Sequence, residues 1–165
     1  MTNSLNVVGA PKDIASGVRK PEAIADGLTD VLADTYRLTF KSHAFHWNVE
    51  GPLFYSIHNL TEEHYEDMFA AADKLAERIR AIGQMAPMAM RDIMETSVIE
   101  DPVEAPSAGE MCSILAQDHQ RIAHRLHALI EIAAQQNDPV TEDLATERSA
   151  FHEQAAWMLR ALATE

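Results

Sequence analysis

Helix-breaking residues are grouped at a few points of this 165-residue chain, and that grouping restricts the possible folds. The 6 glycines and 7 prolines leave long tracts rich in Ala, Leu, Ile, Met and Glu, most of which favour helices. Within these tracts apolar residues recur at spacings of three and four, so they share one face of a helix. At 47% hydrophobic residues, the chain can bury one core as a single domain. We therefore predict an all-α fold.

The first two helices are predicted to form an antiparallel hairpin. Pro21 is well placed as the first residue of a helix, and the apolar pattern that follows it continues until Gly51 and Pro52. A second helix should run from about Leu53 to Ile82. Because only two residues separate these helices, the chain must fold back on itself between them.

The second half of the chain predicts two more long helices after a crossover. Residues 84–106 hold three prolines, and we expect a short helix around Met88–Glu95 inside this segment. Ser107–Glu110 has the sequence of a capping box that starts the third long helix, and Asp138 with Pro139 starts the fourth. Two tight turns and one long crossover describe a ferritin-like four-helix bundle, with the short helix in the crossover between the second and third long helices.

Composition limits the classes of function. The formal charge of −13 is the opposite of the basic face that a free nucleic-acid binder usually presents. Such a charge keeps a protein soluble, and it also draws cations toward a pore or interior. The single cysteine, Cys112, cannot form an intrachain disulfide, and no apolar run is long enough for a membrane span or a signal peptide. We expect a cytoplasmic protein without membrane association.

Residues 1–20 show little periodicity and are predicted to be a flexible tail that precedes a bundle domain at residues 21–165. The basic residues of the tail are Lys12, Arg19 and Lys20. Three basic residues are few for a DNA-binding arm, although many copies of the tail in one assembly could act together.

Five candidate metal ligands lie in the segment Lys41–Arg78: His46, His58, Glu62, Asp73 and Glu77. Histidine together with carboxylate suits iron, zinc or manganese better than magnesium. His58 and Glu62 are four residues apart, as are Asp73 and Glu77, so each pair projects from one face of a helix. His46, at the end of the preceding helix, would be a third ligand beside the first pair.

The two pairs lie about 22 Å apart along one helix, so one metal cannot contact both pairs of the same chain. If two copies of the second helix cross antiparallel near Asp67 and Met68, the first pair of one copy meets the second pair of the other. The Glu-x-x-His motif of metal sites inside a single bundle is absent from the sequence. The pattern therefore predicts a metal site shared between two chains.

The motifs HWNVEGPLF and DKLAER, together with His58, resemble the Dps (DNA protection during starvation) family of mini-ferritins. The resemblance extends over nearly the whole chain in helix order. It implies a dodecameric shell of tetrahedral symmetry that stores oxidised iron, with ferroxidase sites at the dimer two-folds. Carried over to this chain, the iron ligands are His46, His58 and Glu62 from one subunit and Asp73 and Glu77 from its neighbour.

The resemblance also implies hydrogen peroxide as the oxidant that converts Fe(II) to ferric oxyhydroxide. Family members carry Asp or Glu at position 62, so Glu63 or Glu66 remains an alternative to Glu62. The acidic start of the fourth helix resembles the family's iron pore, although acids in a first turn are also ordinary partners of the helix dipole. The candidate pore residues are Asp138, Glu142 and Asp143.

Other candidate side chains are expected to be structural. His43 either supports the metal ligands or lies at the surface, and we expect the surface position. We expect His64 in a structural position, and His119 and His124 in solvent or at an interface. His127 and Glu131, four residues apart, are interpreted as a surface pair.

Trp47 is expected at a subunit contact rather than in electron transfer. Met85, Met88, Met90 and Met94 are expected to fill the contact between the crossover and the bundle.

Two alternatives to iron storage remain open at this point. One is a DNA-compacting protein with secondary metal binding. The other is a helical assembly without catalysis, in which the histidine and acid pairs form interface hydrogen bonds.

Overall fold

The structure is a computed structural model that describes residues 15–163. This part of the chain contains five helices and no strand: α1 (Pro21–Asn48), α2 (Phe54–Ala81), α3 (Met90–Thr96), α4 (Ala108–Gln135) and α5 (Pro139–Ala163). The prediction of a ferritin-like four-helix bundle with a short helix in the crossover is confirmed. None of the described helices combines the length and the apolar character that a membrane span requires.

Two hairpins make up the bundle. Helix α1 packs along α2, and α4 packs along α5, while α1 also lies against α4 and joins the two hairpins. Helix α3 lies on the outside of α1. Gly27 allows the close approach of α1 to α4, because a Cβ atom at this position would lie 2.9 Å from Leu129 Cδ1.

Helix ends follow the capping signals of the sequence. Pro21 is the first residue of α1. Ser107 and Glu110 form the predicted capping box of α4, because Ser107 N–H donates to Glu110 Oε2 and Glu110 N–H donates to Ser107 Oγ. The turn between α1 and α2 is longer than the two residues predicted, since α1 ends at Asn48 and Gly51 adopts φ 99°.

The core lies between all four long helices. It is made of aliphatic side chains at the predicted three and four spacing, and each residue in the following list is inaccessible to solvent or nearly so. The largest are Ile24, Leu28, Leu38, Ile57, Met68, Leu75, Ile79, Ile99, Leu115, Ile122, Leu126 and Leu129.

A buried carboxylate fastens the crossover to the bundle. Asp34 on α1 accepts hydrogen bonds from Ser97 Oγ (2.7 Å), from the Val98 backbone N–H (2.8 Å) and from Arg125 Nη1 on α4 (2.9 Å). Burial raises the pKa of Asp34, and this effect outweighs the opposing effect of these three donors. The carboxylate therefore stabilises this junction chiefly by satisfying buried donors.

Two buried polar contacts tie the helices together near the middle of the bundle. Lys41 on α1 donates to Asp118 on α4, and both side chains are almost fully buried. On the other side of α4, His119 Nδ1 lies 2.8 Å from His152 Nδ1 on α5. The expectation that His119 faces solvent or an interface is wrong, because His119 lies between Leu115 and Ile122 on the apolar face of α4.

Two further histidines, His124 and His127, lie on the exposed surface of α4. His124 is exposed as expected. His127 Nε2 pairs with Glu153 Oε1 on α5 at 3.0 Å, so the interpretation of His127 and Glu131 as a surface pair is wrong. The antiparallel packing of α4 and α5 brings Glu153 within reach of His127.

Most of the predicted tail lies outside the described residues. The part that is described contacts the turn between α4 and α5: the Arg19 N–H donates to Gln136 O, the Arg19 guanidinium donates to Gln135 O, and Asn137 Nδ2 donates to Gly17 O. The Arg19 guanidinium thus binds a carbonyl in the last turn of α4, where such oxygens lack helical partners.

We predict that Asp34→Ala lowers the free energy of unfolding by about 3 kcal/mol, because it leaves the Ser97 hydroxyl and the Val98 N–H without their acceptor and removes the buried ion-pair partner of Arg125. Denaturant unfolding measures this change. Asp30→Ala is the matched control, since Asp30 is half-exposed and lies 4.0 Å from Arg125. The control should change stability by less than about 0.5 kcal/mol. Equal losses in the two variants would contradict the role given to Asp34.

We also predict that stability falls as the pH drops below about 6.5, the ordinary pKa of histidine. Burial holds the pKa of His119 and of His152 well below that value, and Arg148 acts in the same direction on both. The unfolded chain therefore binds more protons than the folded chain in this range, and each histidine reduces stability by on the order of 1 kcal/mol per pH unit. Thermal unfolding from pH 8 to pH 5 tests this. An unfolding temperature that is constant over that range would refute it.

Candidate metal centre

His46 and His58 lie side by side where α1 ends and α2 begins. Their rings are stacked, with centroids 3.7 Å apart and planes inclined by 17°. His46 Nδ1 lies 2.8 Å from His58 O, and His58 Nδ1 lies 2.9 Å from His46 O. The two residues thus exchange a reciprocal pair of hydrogen bonds between the helices.

These two hydrogen bonds determine which nitrogen of each ring remains available to a metal. A carbonyl oxygen only accepts hydrogen bonds, so each Nδ1 must carry the proton and donate it. The His46 carbonyl is available because it lies in the last turn of α1, where no helical N–H follows. Each neutral ring therefore keeps its lone pair on Nε2, the form in which histidine binds a metal.

Glu62 follows His58 by one helical turn and is half-buried. Asp73 and Glu77 are exposed on α2, several turns away from this pair of histidines. Within residues 15–163 no three His, Cys, Asp or Glu side chains are arranged to hold a metal ion. One chain therefore brings together the histidine half of the candidate site and leaves the Asp73 and Glu77 half apart from it.

An aromatic cluster borders the histidine pair. The His43 ring is stacked on Tyr65 with centroids 4.1 Å apart, and it contacts Trp47 at the same centroid distance. Tyr65 also meets His46 edge-on at 5.4 Å. The expectation that His43 is a simple surface residue is wrong, because His43 is partly buried and packs against these two rings.

Sequence reasoning missed Tyr65. Desolvation and the nearby carboxylates of Glu62 and Glu66 raise the pKa of Tyr65, so its hydroxyl keeps its proton beside the candidate ligands. Its position, seven residues after His58 and three after Glu62, places it on the same face of α2. That spacing is the signal that could have identified it.

Large apolar side chains remain exposed between the two halves of the candidate site. Tyr36, Phe40 and Phe69 together with Met90 and Met94 line a groove of about 480 Å³ between α1, α2 and α3. Phe40 is 64% exposed and Phe69 is 62% exposed. An uncovered apolar surface of this kind is typical of a protein–protein interface.

The methionines of the crossover belong to this exposed surface. Met88, Met90 and Met94 are exposed, and only Ile93 of α3 is buried. The prediction that these methionines fill the contact between the crossover and the bundle is wrong for the single chain. Helix α3 turns its one buried side chain toward the bundle and leaves its methionines on the outside.

The side chains at the predicted crossing point of two α2 helices differ in exposure. Met68 is fully buried in its own core, and Asp67 accepts a hydrogen bond from Arg148 on α5 at 2.7 Å. The neighbouring Phe69 is the exposed side chain at this level of α2.

The candidate pore residues occupy three different environments. Asp138 is buried and caps α5: the Thr141 N–H and hydroxyl donate to its carboxylate, and Arg78 Nη2 donates to it at 2.6 Å. Burial opposes ionisation of Asp138, but these donors outweigh it and lower the pKa of the carboxyl. Glu142 is half-buried and Asp143 is exposed, so those two carboxylates are the accessible ones.

Comparisons with known proteins agree with this architecture. The ferritin-like domain family matches residues 25–165. "DNA protection during starvation protein 2" of Bacillus anthracis is 34% identical over 138 residues, which cover 84% of this chain and 94% of that protein. A protein described as an uncharacterized low temperature-induced protein of Nostoc is 34% identical over 141 residues, with 84% and 79% covered.

Solved structures give the same result. Dps from Staphylococcus aureus superimposes with a TM-score of 0.85 at 30% identity and covers 90% of this chain and 99% of that chain. Dps from Bacillus brevis gives a TM-score of 0.84 at 30% identity, with 87% and 97% covered. By sequence and by fold, the chain belongs to the Dps family of ferritin-like proteins.

Proposed function

We propose that this protein is a ferroxidase and iron-storage protein that oxidises Fe(II) with hydrogen peroxide at a site shared between two subunits. The subunits would assemble into a dodecameric shell that keeps ferric oxide inside. Iron is the substrate and cargo of this reaction. Membership of the Dps family supports iron handling and the protection of DNA in general.

One observation carries the proposal most directly. His46 and His58 hold one another through Nδ1 and their rings are stacked, so the Nε2 atom of each ring is the one left for a metal. Interface hydrogen bonds alone would not require this arrangement, because the two histidines already satisfy one another within the chain. The non-catalytic assembly therefore explains less of the geometry than a metal site does.

The exposed carboxylates and the apolar groove support the shared site. Within the described residues, Asp73 and Glu77 belong to no group of three side chains that could hold a metal, and the groove lined by Phe40 and Phe69 is open to a second copy. An antiparallel second α2 would cover this surface and bring its Asp73 and Glu77 toward His46, His58 and Glu62. The burial of apolar surface would provide the stability of the dimer.

The ligand set suits the oxidation of iron. In total, two Fe(II) ions lose one electron each, and one hydrogen peroxide molecule gains both electrons. With two water molecules, the products are two ferric oxyhydroxide units and four protons. Neutral imidazoles suit Fe(II), while the three carboxylates offset the additional positive charge of Fe(III). Removal of both Fe(II) and peroxide protects DNA in the cytoplasm without requiring contact with DNA.

The net charge of −13 favours the movement of Fe(II) toward such a shell. We assign the pore to the start of α5, where Glu142 and Asp143 are the accessible acids. Asp138 would hold the end of that helix in place through Arg78. For DNA compaction, Arg19 is a weak candidate, because its guanidinium already donates to a carbonyl of α4.

We predict that His46→Ala, His58→Ala and Asp73→Ala each slow the oxidation of Fe(II) by peroxide by about tenfold or more, because each removes a ligand. The appearance of ferric absorbance after mixing measures the rate. His124→Ala is the control, since this histidine is exposed on α4 away from the site. Size-exclusion chromatography shows whether assembly is retained. Wild-type rates in all three assembled variants would contradict the proposed function.

A further inference from the structure

Four buried polar atoms have no hydrogen-bond partner among the protein groups of the described chain, and they come from four different helices. They are Ser42 Oγ on α1, His64 Nδ1 on α2, His119 Nε2 on α4 and His152 Nε2 on α5. Ser42, His119 and His152 are 0% exposed, and His64 is 5% exposed. Buried polar atoms without partners are rare in folded proteins, so each of these four requires a partner.

These four residues form one layer across the bundle, which we call the imidazole layer. Helices α1 and α4 run antiparallel, and Lys41 pairs with Asp118. Ser42 and His119 therefore lie on opposite sides of this pair, about 3 Å apart along the bundle axis. The His119 ring centroid is 5.2 Å from that of His64 and 5.0 Å from that of His152. The layer therefore spans both hairpins at the centre of the fold.

The hydrogen bond between His119 and His152 determines what the layer can bind. In the neutral pair, one Nδ1 donates and the other accepts at 2.8 Å. The ring that donates through Nδ1 keeps a lone pair on Nε2, and the ring that accepts carries its proton on Nε2. Whichever tautomer is adopted, the pair therefore presents one donor and one acceptor to the interior.

We propose that the imidazole layer binds ordered internal water that bridges Ser42, His64, His119 and His152. Water both donates and accepts, so it matches a donor and an acceptor in either tautomer. Ser42 Oγ can also do both, and it supplies a partner from the fourth helix. The water would link α2 to α4 and α5, helices that contact α2 much less than α1 does.

A metal ion fits the imidazole layer poorly. A cation can bind only unprotonated nitrogens, so it would leave the Nε2–H of the other ring without a partner. The layer contains no carboxylate, and the nearby Asp67 is already bound by Arg148. Arg148 also places a positive charge near the two histidines, and no metal-binding group of three is formed within residues 15–163. This site is thus distinct from the candidate iron site at His46 and His58.

The substitution Ser42→Ala distinguishes a hydrated layer from a dry one by the direction in which it changes the unfolding temperature. If water bridges the layer, Ser42→Ala removes one of its partners and should lower the unfolding temperature by a few degrees. If the layer is dry, the same change removes an unsatisfied hydroxyl and should leave the unfolding temperature unchanged or raise it. Ser56→Ala on the exposed start of α2 is the matched control for helix propensity.

A crystal structure of the metal-free wild-type assembly tests the same proposal without a variant. We expect density for water within hydrogen-bond distance of Ser42 Oγ and of at least one of the two Nε2 atoms. Absence of such density at a resolution that shows ordered water elsewhere in the core would overturn the proposal. Anomalous density for a metal in the layer after the protein is incubated with Zn²⁺ would also overturn it. Neither outcome bears on the iron site.

Discussion

The reciprocal hydrogen bonds between His46 and His58 are the contact on which the candidate site depends. They join the last turn of α1 to the first turns of α2 and place a proton on Nδ1 of both rings. The two residues are 12 positions apart in the sequence, and the turn between α1 and α2 brings their rings together. The same hairpin therefore contributes to the core and determines which ring nitrogen of the two candidate ligands faces a metal. Both the fold of the hairpin and the proposed chemistry therefore depend on the hydrogen bonds between His46 and His58.

Buried polar contacts also fix how the other helices pack along the bundle. Asp34 holds the crossover, Lys41 and Asp118 join α1 to α4, and His119 and His152 join α4 to α5. Breaking one partner of a buried pair is more harmful than replacing both by apolar residues, so such pairs specify the arrangement more than they add stability. The face that carries Phe40 and Phe69 has the opposite character, because it is apolar and uncovered. The polar contacts thus define the single chain, and the apolar face is the surface that the proposed dimer would cover.

Much of the fold could be predicted from the sequence because its signals are local. Pro21, the capping box at Ser107 and the cap at Asp138 each act within one turn, and the structure has helices beginning at or beside all three. Contacts between helices could not be predicted in this way. The spacing of His119 was compatible with several faces, and only packing against α5 identifies His152 as its partner. The stack of His43 on Tyr65 likewise requires the register of α1 on α2, which periodicity within one helix does not provide.

Complementation between subunits tests the shared site most directly. Subunits carrying His58→Ala and subunits carrying Asp73→Ala are co-assembled in equal amounts, and Fe(II) oxidation by peroxide is measured. Half of randomly formed dimers are mixed, and each mixed dimer has one site without either substitution, so about a quarter of the sites should be intact. A mixture of His58→Ala with Glu62→Ala is the control, because both ligands belong to the same half of the site and no intact site can form. The account predicts that activity returns only in the first mixture. Activity that stays at the level of the single variants in both assembled mixtures would contradict it.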